Sequence, residues 1–178
     1  IDGIDYQIFC FVEDSNFYQV YILEEMNYFG TDAKLYNLGF RTLDQFSDDL
    51  LKEKITNIIS LLIKELSIKR SPLSISLRVP IGQLNPFLIE IHLDLGGDWL
   101  MEEFLPKSMN IDFIKSAVNA SIGDVREIQD IEIFPTAMIF NNSLNRSSGY
   151  KISLYKSFSE LDQKIRELKK EIKDTKNK

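Results

Sequence analysis

The stretch SDDLLKEKITNIISLLIKEL, residues 47–66, limits the fold more than any other part of the chain. Leu50, Leu51, Ile55, Ile58, Ile59, Leu62, Ile63 and Leu66 recur at the 3.6-residue period of an amphipathic helix. Ser47 is placed to cap it, and Asp48 and Asp49 suit the positive end of its dipole. A helix from about 48 to 66 with so broad an apolar stripe needs a large apolar partner, and the flanking sequence supplies strands. Residues 5–13 (YQIFCFVED) and 18–25 (YQVYILEE) are rich in aromatic and β-branched residues and are separated by Asp14-Ser15-Asn16, which predicts a β-hairpin. A short strand is expected near 34–38. Residues 73–79 (LSISLRV) and 87–95 (FLIEIHLDL) alternate apolar and polar and read as antiparallel neighbours.

Beyond residue 95 the pattern changes. Residues 98–105 and 111–122 read as helices divided by Pro106, with Gly123 placed to end the second. Residues 130–141 read as a strand with Pro135 at an edge or bulge. A polar loop over 141–149 leads to a strand at 150–155 and an amphipathic, charge-rich helix at 158–173. Hairpins outnumber parallel crossovers. The expected class is α+β, a mostly antiparallel sheet with helices packed on one face. Residues 1–156 form the main unit, and 157–178 form a C-terminal amphipathic helix docked on it with a basic tail.

Composition narrows the function. The net charge of -6 argues against a nucleic-acid binder, which concentrates Lys and Arg on one face. No apolar run approaches the roughly 18 residues of a membrane span. The single cysteine, Cys10, excludes an intrachain disulfide framework and fits a reducing, cytoplasmic compartment. It sits in an apolar run, as a small buried hydrophobe does. Trp99 and Phe104 are expected as core anchors.

The chemistry concentrates in PFLIEIHLDLGGDWL, residues 86–100. Alternation points Leu88, Glu90, His92 and Asp94 one way and their neighbours the other. A carboxylate, an imidazole and a carboxylate spaced about 7 Å apart form a polar ladder. Burying it without partners is costly, so the face is either wet or lines a site supplied with cations. Gly96-Gly97 directly after the strand favours the close approach of a ligand or another backbone. The lone histidine rules out a His-based metal cluster elsewhere.

The stretch LNPFLIEIHLDLGGDWLMEEFLPKSMNIDFIKSAVNASIGD resembles the last part of the ATP-grasp fold, in its carboxylate–amine ligase branch. There a strand carries an acidic motif of the form Glu-x-Asn-x-Arg, followed by Gly-Gly-Asp and two helices. The opening Asp2-Gly3-Ile4-Asp5-Tyr6, the hairpin, the long helix and the strand 71–78 occur in the matching order, and the resemblance spans roughly residues 1–155. It implies that ATP is bound between two lobes and used, with one or two Mg²⁺ ions, to activate a small-molecule carboxylate as an acyl phosphate that an amine then attacks. It implies a metal-binding role for Glu90, which also places it against the cofactor. Arg78 matches a basic position that touches the transferred phosphate, a catalytic and nucleotide-binding role. His92 stands where the metal-binding Asn is usual and is expected as a metal ligand beside Glu90; Asp94 stands where Arg is usual, and Ser76 where a second metal-binding Glu is usual. Asp94, Gly96 and Gly97 would face the second substrate; Asp94 either replaces the carboxylate missing at Ser76 or contacts a substrate amine where Arg would bind a carboxylate. The alternative is a degenerate binding or scaffold module that has lost its metal ligands. The family's phosphate-binding lysines, glycine-rich loop and adenine-reading hinge lie in a preceding N-terminal lobe, which is expected as part of the same parent chain.

Overall fold

A computed structural model of the chain describes residues 2–29, 35–44, 49–97, 99–124, 132–141 and 149–175. The elements run β1 (Gly3–Glu13), β2 (Asn16–Phe29), β3 (Leu35–Thr42), α1 (Asp49–Glu65), β4 (Arg70–Pro80), β5 (Phe87–His92), a π-helical turn (Leu100–Phe104), α2 (Leu105–Met109), α3 (Phe113–Ile122), β6 (Thr136–Phe140), β7 (Tyr150–Leu154) and α4 (Phe158–Thr175). Among the described residues the strands form one sheet in the order β5-β4-β1-β2-β3-β6-β7, and neighbouring strands pair antiparallel throughout.

The β1–β2 hairpin closes on Asp14 and Ser15, both with positive φ (49° and 66°), the geometry of a two-residue turn whose twist matches its strands. On its other side β1 pairs with β4 without interruption from Gly3↔Pro80 to Glu13↔Arg70. Strand alternation then divides the core. Phe9 and Phe11 of β1, with Tyr21 and Leu23 of β2, pack beneath the π-turn, α2 and α3. Ile8, Cys10 and Val12 point the other way, and with Ile75 and Leu77 of β4 they meet Ile55, Ile59 and Ile63 of α1. Helix α4 lays Leu161 and Ile165 on Met26, Leu38 and Ala137. Met26 lies four residues along β2 from Ile22, which faces α1, so α1 and α4 share a face.

The α+β class and the antiparallel sheet are as the alternation predicts, and β4 and β5 are the expected neighbours. Helices cover both faces of the sheet, not one. The physical reason lies in β1: both sets of its alternating residues are apolar and buried, so each face needs its own cover. Three elements also differ in extent. Of the strand expected over 130–141, the described residues place Thr136–Phe140 in the sheet; Pro135 lacks a donor, and Phe134 gives its N–H to the Ser108 carbonyl instead of a ladder (2.8 Å), while 130 and 131 lie outside the described residues. The strand expected to reach residue 95 stops at His92, where Asp94 turns the chain. The expected first helix of 98–105 is the π-turn followed by α2. The proposed Ser47 cap, Asp48, Asp98 and most of the 141–149 loop lie outside the described residues. Among those described, no helix is long and apolar enough to cross a membrane.

Candidate functional site

The face of the sheet that α3 covers at one end is polar at the other. On β1, Phe9 and Phe11 give way to Gln7 and Asp5; on β4, Ser74, Ser76 and Arg78 lie opposite Phe9, Gln7 and Asp5. On β5, Glu90 and His92 lie opposite Ser76 and Ser74. The pairing slips by one residue between Ser76 and Leu77, so Leu88 faces Leu77, Phe87 faces Arg78, and Ile89 is the extra residue of a bulge. This corrects the expectation that Leu88 shares the face of Glu90, His92 and Asp94. The bulge lets a strand with apolar residues at 87, 88 and 89 present a carboxylate and an imidazole together on the polar side.

Hydrogen bonds knit the strip crosswise. Gln7 Nε2 donates to Ser74 Oγ (2.7 Å), and Ser76 Oγ donates to Gln7 Oε1 (2.7 Å) and lies 3.1 Å from Glu90 Oε1. The other carboxylate oxygen of Glu90 is 3.3 Å from His92 Nε2, and both side chains are about half exposed. Asp94 Oδ1 accepts the Gly96 N–H (2.8 Å), which makes the corner. Gly96 is required there: its φ is +74°, and a Cβ would sit 3.0 Å from the Phe9 ring. Gly97 has nothing within 4 Å of a Cβ position and leaves open space.

These groups surround a cavity of about 270 Å³. Its lining takes Gln7 and Phe9 from β1, Glu25 from β2, Phe40 from β3, Ser74 and Ser76 from β4, Glu90 and His92 from β5, Asp94, Gly96 and Gly97 from the corner that follows, and Leu100 from the π-turn. The structure therefore brings five of the six sequence-predicted site residues to one cavity. Arg78 is the exception: it is on the same face but not in the cavity lining. Its Nε and Nη2 donate to the two oxygens of buried Asp5 (2.6 and 2.7 Å), and Asn27 Nδ2 donates to the same carboxylate (2.7 Å). The hydrogen bonds it donates to Asp5 hold the Arg78 guanidinium's pKa above its ordinary value, and the pair is close to neutral as a unit.

Sequence reasoning missed Gln7, Ser74 and Glu25. Their one legible signal is a β1 face that turns from polar at Asp5 and Gln7 to aromatic at Phe9 and Phe11. Trp99 corrects another expectation. Phe104 is fully buried, but the Trp99 residue is 54% exposed and its backbone is left-handed at φ 61°, ψ 17°. The Trp99 ring lies 6.2 Å from Tyr150, whose hydroxyl donates to Glu103 Oε1 (2.6 Å). That hydrogen bond raises the Tyr150 phenol to about 12, and Glu103 is held below the usual carboxylate range, first by Lys107 and then by Tyr150.

The donor set is limited. Among the described residues, no three His, Cys, Asp or Glu side chains converge as a complete protein metal site. A hard divalent ion needs only one or two carboxylates when a nucleotide's phosphates supply the rest. Glu90, half exposed at the cavity, fits one such ion. A second ion has no carboxylate on the neighbouring strand, because Ser76 stands opposite Glu90.

No family model matches the chain, and no curated protein matches it. Solved structures do. The L-amino acid ligase from Bacillus licheniformis superposes with a TM-score of 0.65 over 94% of this chain and 52% of its own, at 16% identity. The phosphoribosylglycinamide synthetase from Anaerococcus prevotii gives 0.62 over 79% of this chain and 35% of its own, at 15% identity. The N5-carboxyaminoimidazole synthetase from Staphylococcus aureus complexed with ADP gives 0.61 over 93% and 50%, at 10% identity. The likeness is one of fold, and the chain spans about a third to a half of the length of these structures.

Proposed function

From a chain with the fold of the C-terminal part of the ATP-grasp ligases, we propose that its polar cavity is half of a ligase cleft, where ATP activates a small-molecule carboxylate and an amine is joined to it. The observation that carries the reading is that Ser76, Glu90, His92, Asp94, Gly96 and Gly97 meet in one cavity at the end of the sheet's polar strip. The other half of the cleft, with the groups that hold adenine and the outer phosphates, belongs to a preceding lobe of the parent protein, and its site of action is the cytoplasm.

Each residue of the chain then has a task. Glu90 holds one magnesium ion, which when bound neutralises charge on the phosphates during transfer. Ser76 Oγ, whose proton goes to Gln7, lies 3.1 Å from one Glu90 oxygen. His92 sits 3.3 Å from the other and limits its rotation. Asp5 fixes the Arg78 guanidinium in a planar, two-pronged grip on the same face of the sheet, the position proposed to meet the transferred phosphate. Gly96 and Gly97 let the second substrate approach the backbone closely.

A second reading, a nucleotide-independent binding module, is favoured by one feature: Ser76 is neutral where a second acidic ligand is needed. Magnesium-dependent acyl phosphate formation, trapped with hydroxylamine in the full-length protein, separates the two. Glu90→Ala is expected to lower that rate by at least about a hundredfold and to leave the melting temperature within a few degrees, since the side chain is half exposed. Magnesium-independent nucleotide behaviour in both proteins, or none, leaves the binding module.

A further inference from the structure

Helix α3 has two apolar faces. Phe113, Ala117 and Ala120 are buried in the core. On the outer side Ile114, Val118 and Ile122 are 41%, 56% and 70% exposed. Single exposed apolar residues are ordinary, but these three stand at i, i+4 and i+8 and form one ridge along the helix. Lys115 is the one charged residue between Phe113 and Ile122. At the Ile114 end the ridge borders a depression of about 370 Å³, lined by Met101, Pro106 and Ile111 among others and by Ile114 itself. The most exposed of the three, Ile122, stands at the opposite end.

The order of these residues identifies the occupant. Ile-Val-Ile at four-residue spacing reads the same in both directions, so it matches a second copy of itself run antiparallel. A two-fold axis at Val118 sets Val118 against its own equivalent, Ile114 towards Ile122 of the other copy, and Lys115 towards Ser121. Each Ile122 then stands over the depression of the other molecule, and the same knob and hollow are used twice. The smallest of the three side chains lies where the helices cross and approach most closely. No like charges meet in this register, whereas an axis at Lys115 would bring two lysines together. Three side chains and one hollow supply less than the roughly 800 Å² that each partner gives a stable interface, so the pairing is weak and concentration-dependent.

We propose that α3 is a self-association surface, through which two copies of this chain pair antiparallel about Val118. Helix α3 contributes no residue to the polar cavity, so the inference holds whatever that cavity binds. Cross-linking and sedimentation of the 178-residue chain test it. The native Cys10 is buried and does not compete. Under mild oxidation Val118→Cys is expected to give a disulfide-linked dimer, because the axis brings position 118 to itself. Ile114→Cys should give none, since its two copies lie about 12 Å apart along the helices, beyond disulfide reach. In sedimentation velocity the chain is expected to pass from monomer to dimer between about 10 μM and 1 mM. Val118→Glu sets two carboxylates face to face and should raise the dissociation constant at least about tenfold; Ile122→Ser should raise it as well. Leu61→Glu, at an equally exposed apolar position on α1 (57%), should leave it unchanged. All these positions are at the surface, and melting temperatures within a few degrees of the parent chain's check that the variants fold. A chain still monomeric at about 1 mM, dimerisation indifferent to Val118→Glu, or equal cross-linking through Ile114→Cys would overturn the inference. So would a monomeric full-length protein; a Val118→Cys thiol shielded from reagent there would identify the preceding lobe as the occupant instead.

Discussion

Cys10 lies in the middle of β1 with its side chain under α1, and burial pushes its thiol up to about 12. The thiolate is the reactive form, so this sulfur is chemically silent at ordinary pH. We expect no reaction with a thiol reagent in the native protein at pH 8 and one equivalent of reaction after unfolding in guanidinium. Fast labelling of native protein would contradict the packing. The sign follows from the raised value: the neutral buried thiol is compatible with the fold below the ordinary thiol range of about 8.5, and the stability it contributes is lost as pH climbs from there towards 12. At this scale the sequence was informative wherever residue type and spacing were sufficient. The burial of Cys10, and the meeting of Glu90, His92, Asp94, Gly96 and Gly97, follow from an apolar run and an alternating strand that ends in glycines. Gln7, Ser74 and Glu25 could not be found in that way, since three different strands bring them together and only pairing register aligns them. Trp99 was misjudged because its left-handed backbone leaves no mark in composition.

Among the elements, β3 depends on one glycine. Gly39 has φ +134°, and a Cβ there would sit 1.8 Å from the Met138 carbonyl oxygen of β6. Its N–H is taken by the Asn37 side chain (2.8 Å), and Asn37 also contacts Glu25 on β2. Gly39→Ala is therefore expected to separate β6 from β3 and to destabilise the protein by about 2–4 kcal/mol, read as a fall in the urea midpoint. An unchanged midpoint would show that β6 does not approach so closely. The element types were largely legible. Periodicity located α1, and alternation located β4 and β5. Their ends were less so: the bulge at Ile89 and the side-chain cap at Asp94 are local geometries that hydrophobic pattern does not encode. A helix that begins with a π-turn is equally invisible, because Leu100, Met101 and Phe104 fit an ordinary helical stripe as well.

For the whole molecule, the decisive feature is that β1, early in the chain, lies inside the sheet, joined to β2 by a two-residue turn and to β4 by residues that arrive nearly seventy positions later. Hydrogen exchange should be slowest in β1 and its two neighbours and fastest in β5 and β7, which among the described residues are the outermost strands; rapid exchange of β1 amides would refute the order. This arrangement was beyond sequence reading, since nothing in an alternating strand names its distant partner, and the cover on both faces depends on where α1 and α3 cross the sheet. The same arrangement creates a hazard during synthesis. Until Arg70–Pro80 has left the ribosome, one long side of the first hairpin is an open template of amides and carbonyls flanked by Phe, Ile and Val. A chain released before residue 70 is therefore expected to aggregate more readily than one that includes β4, an outcome that sedimentation of truncated translation products checks.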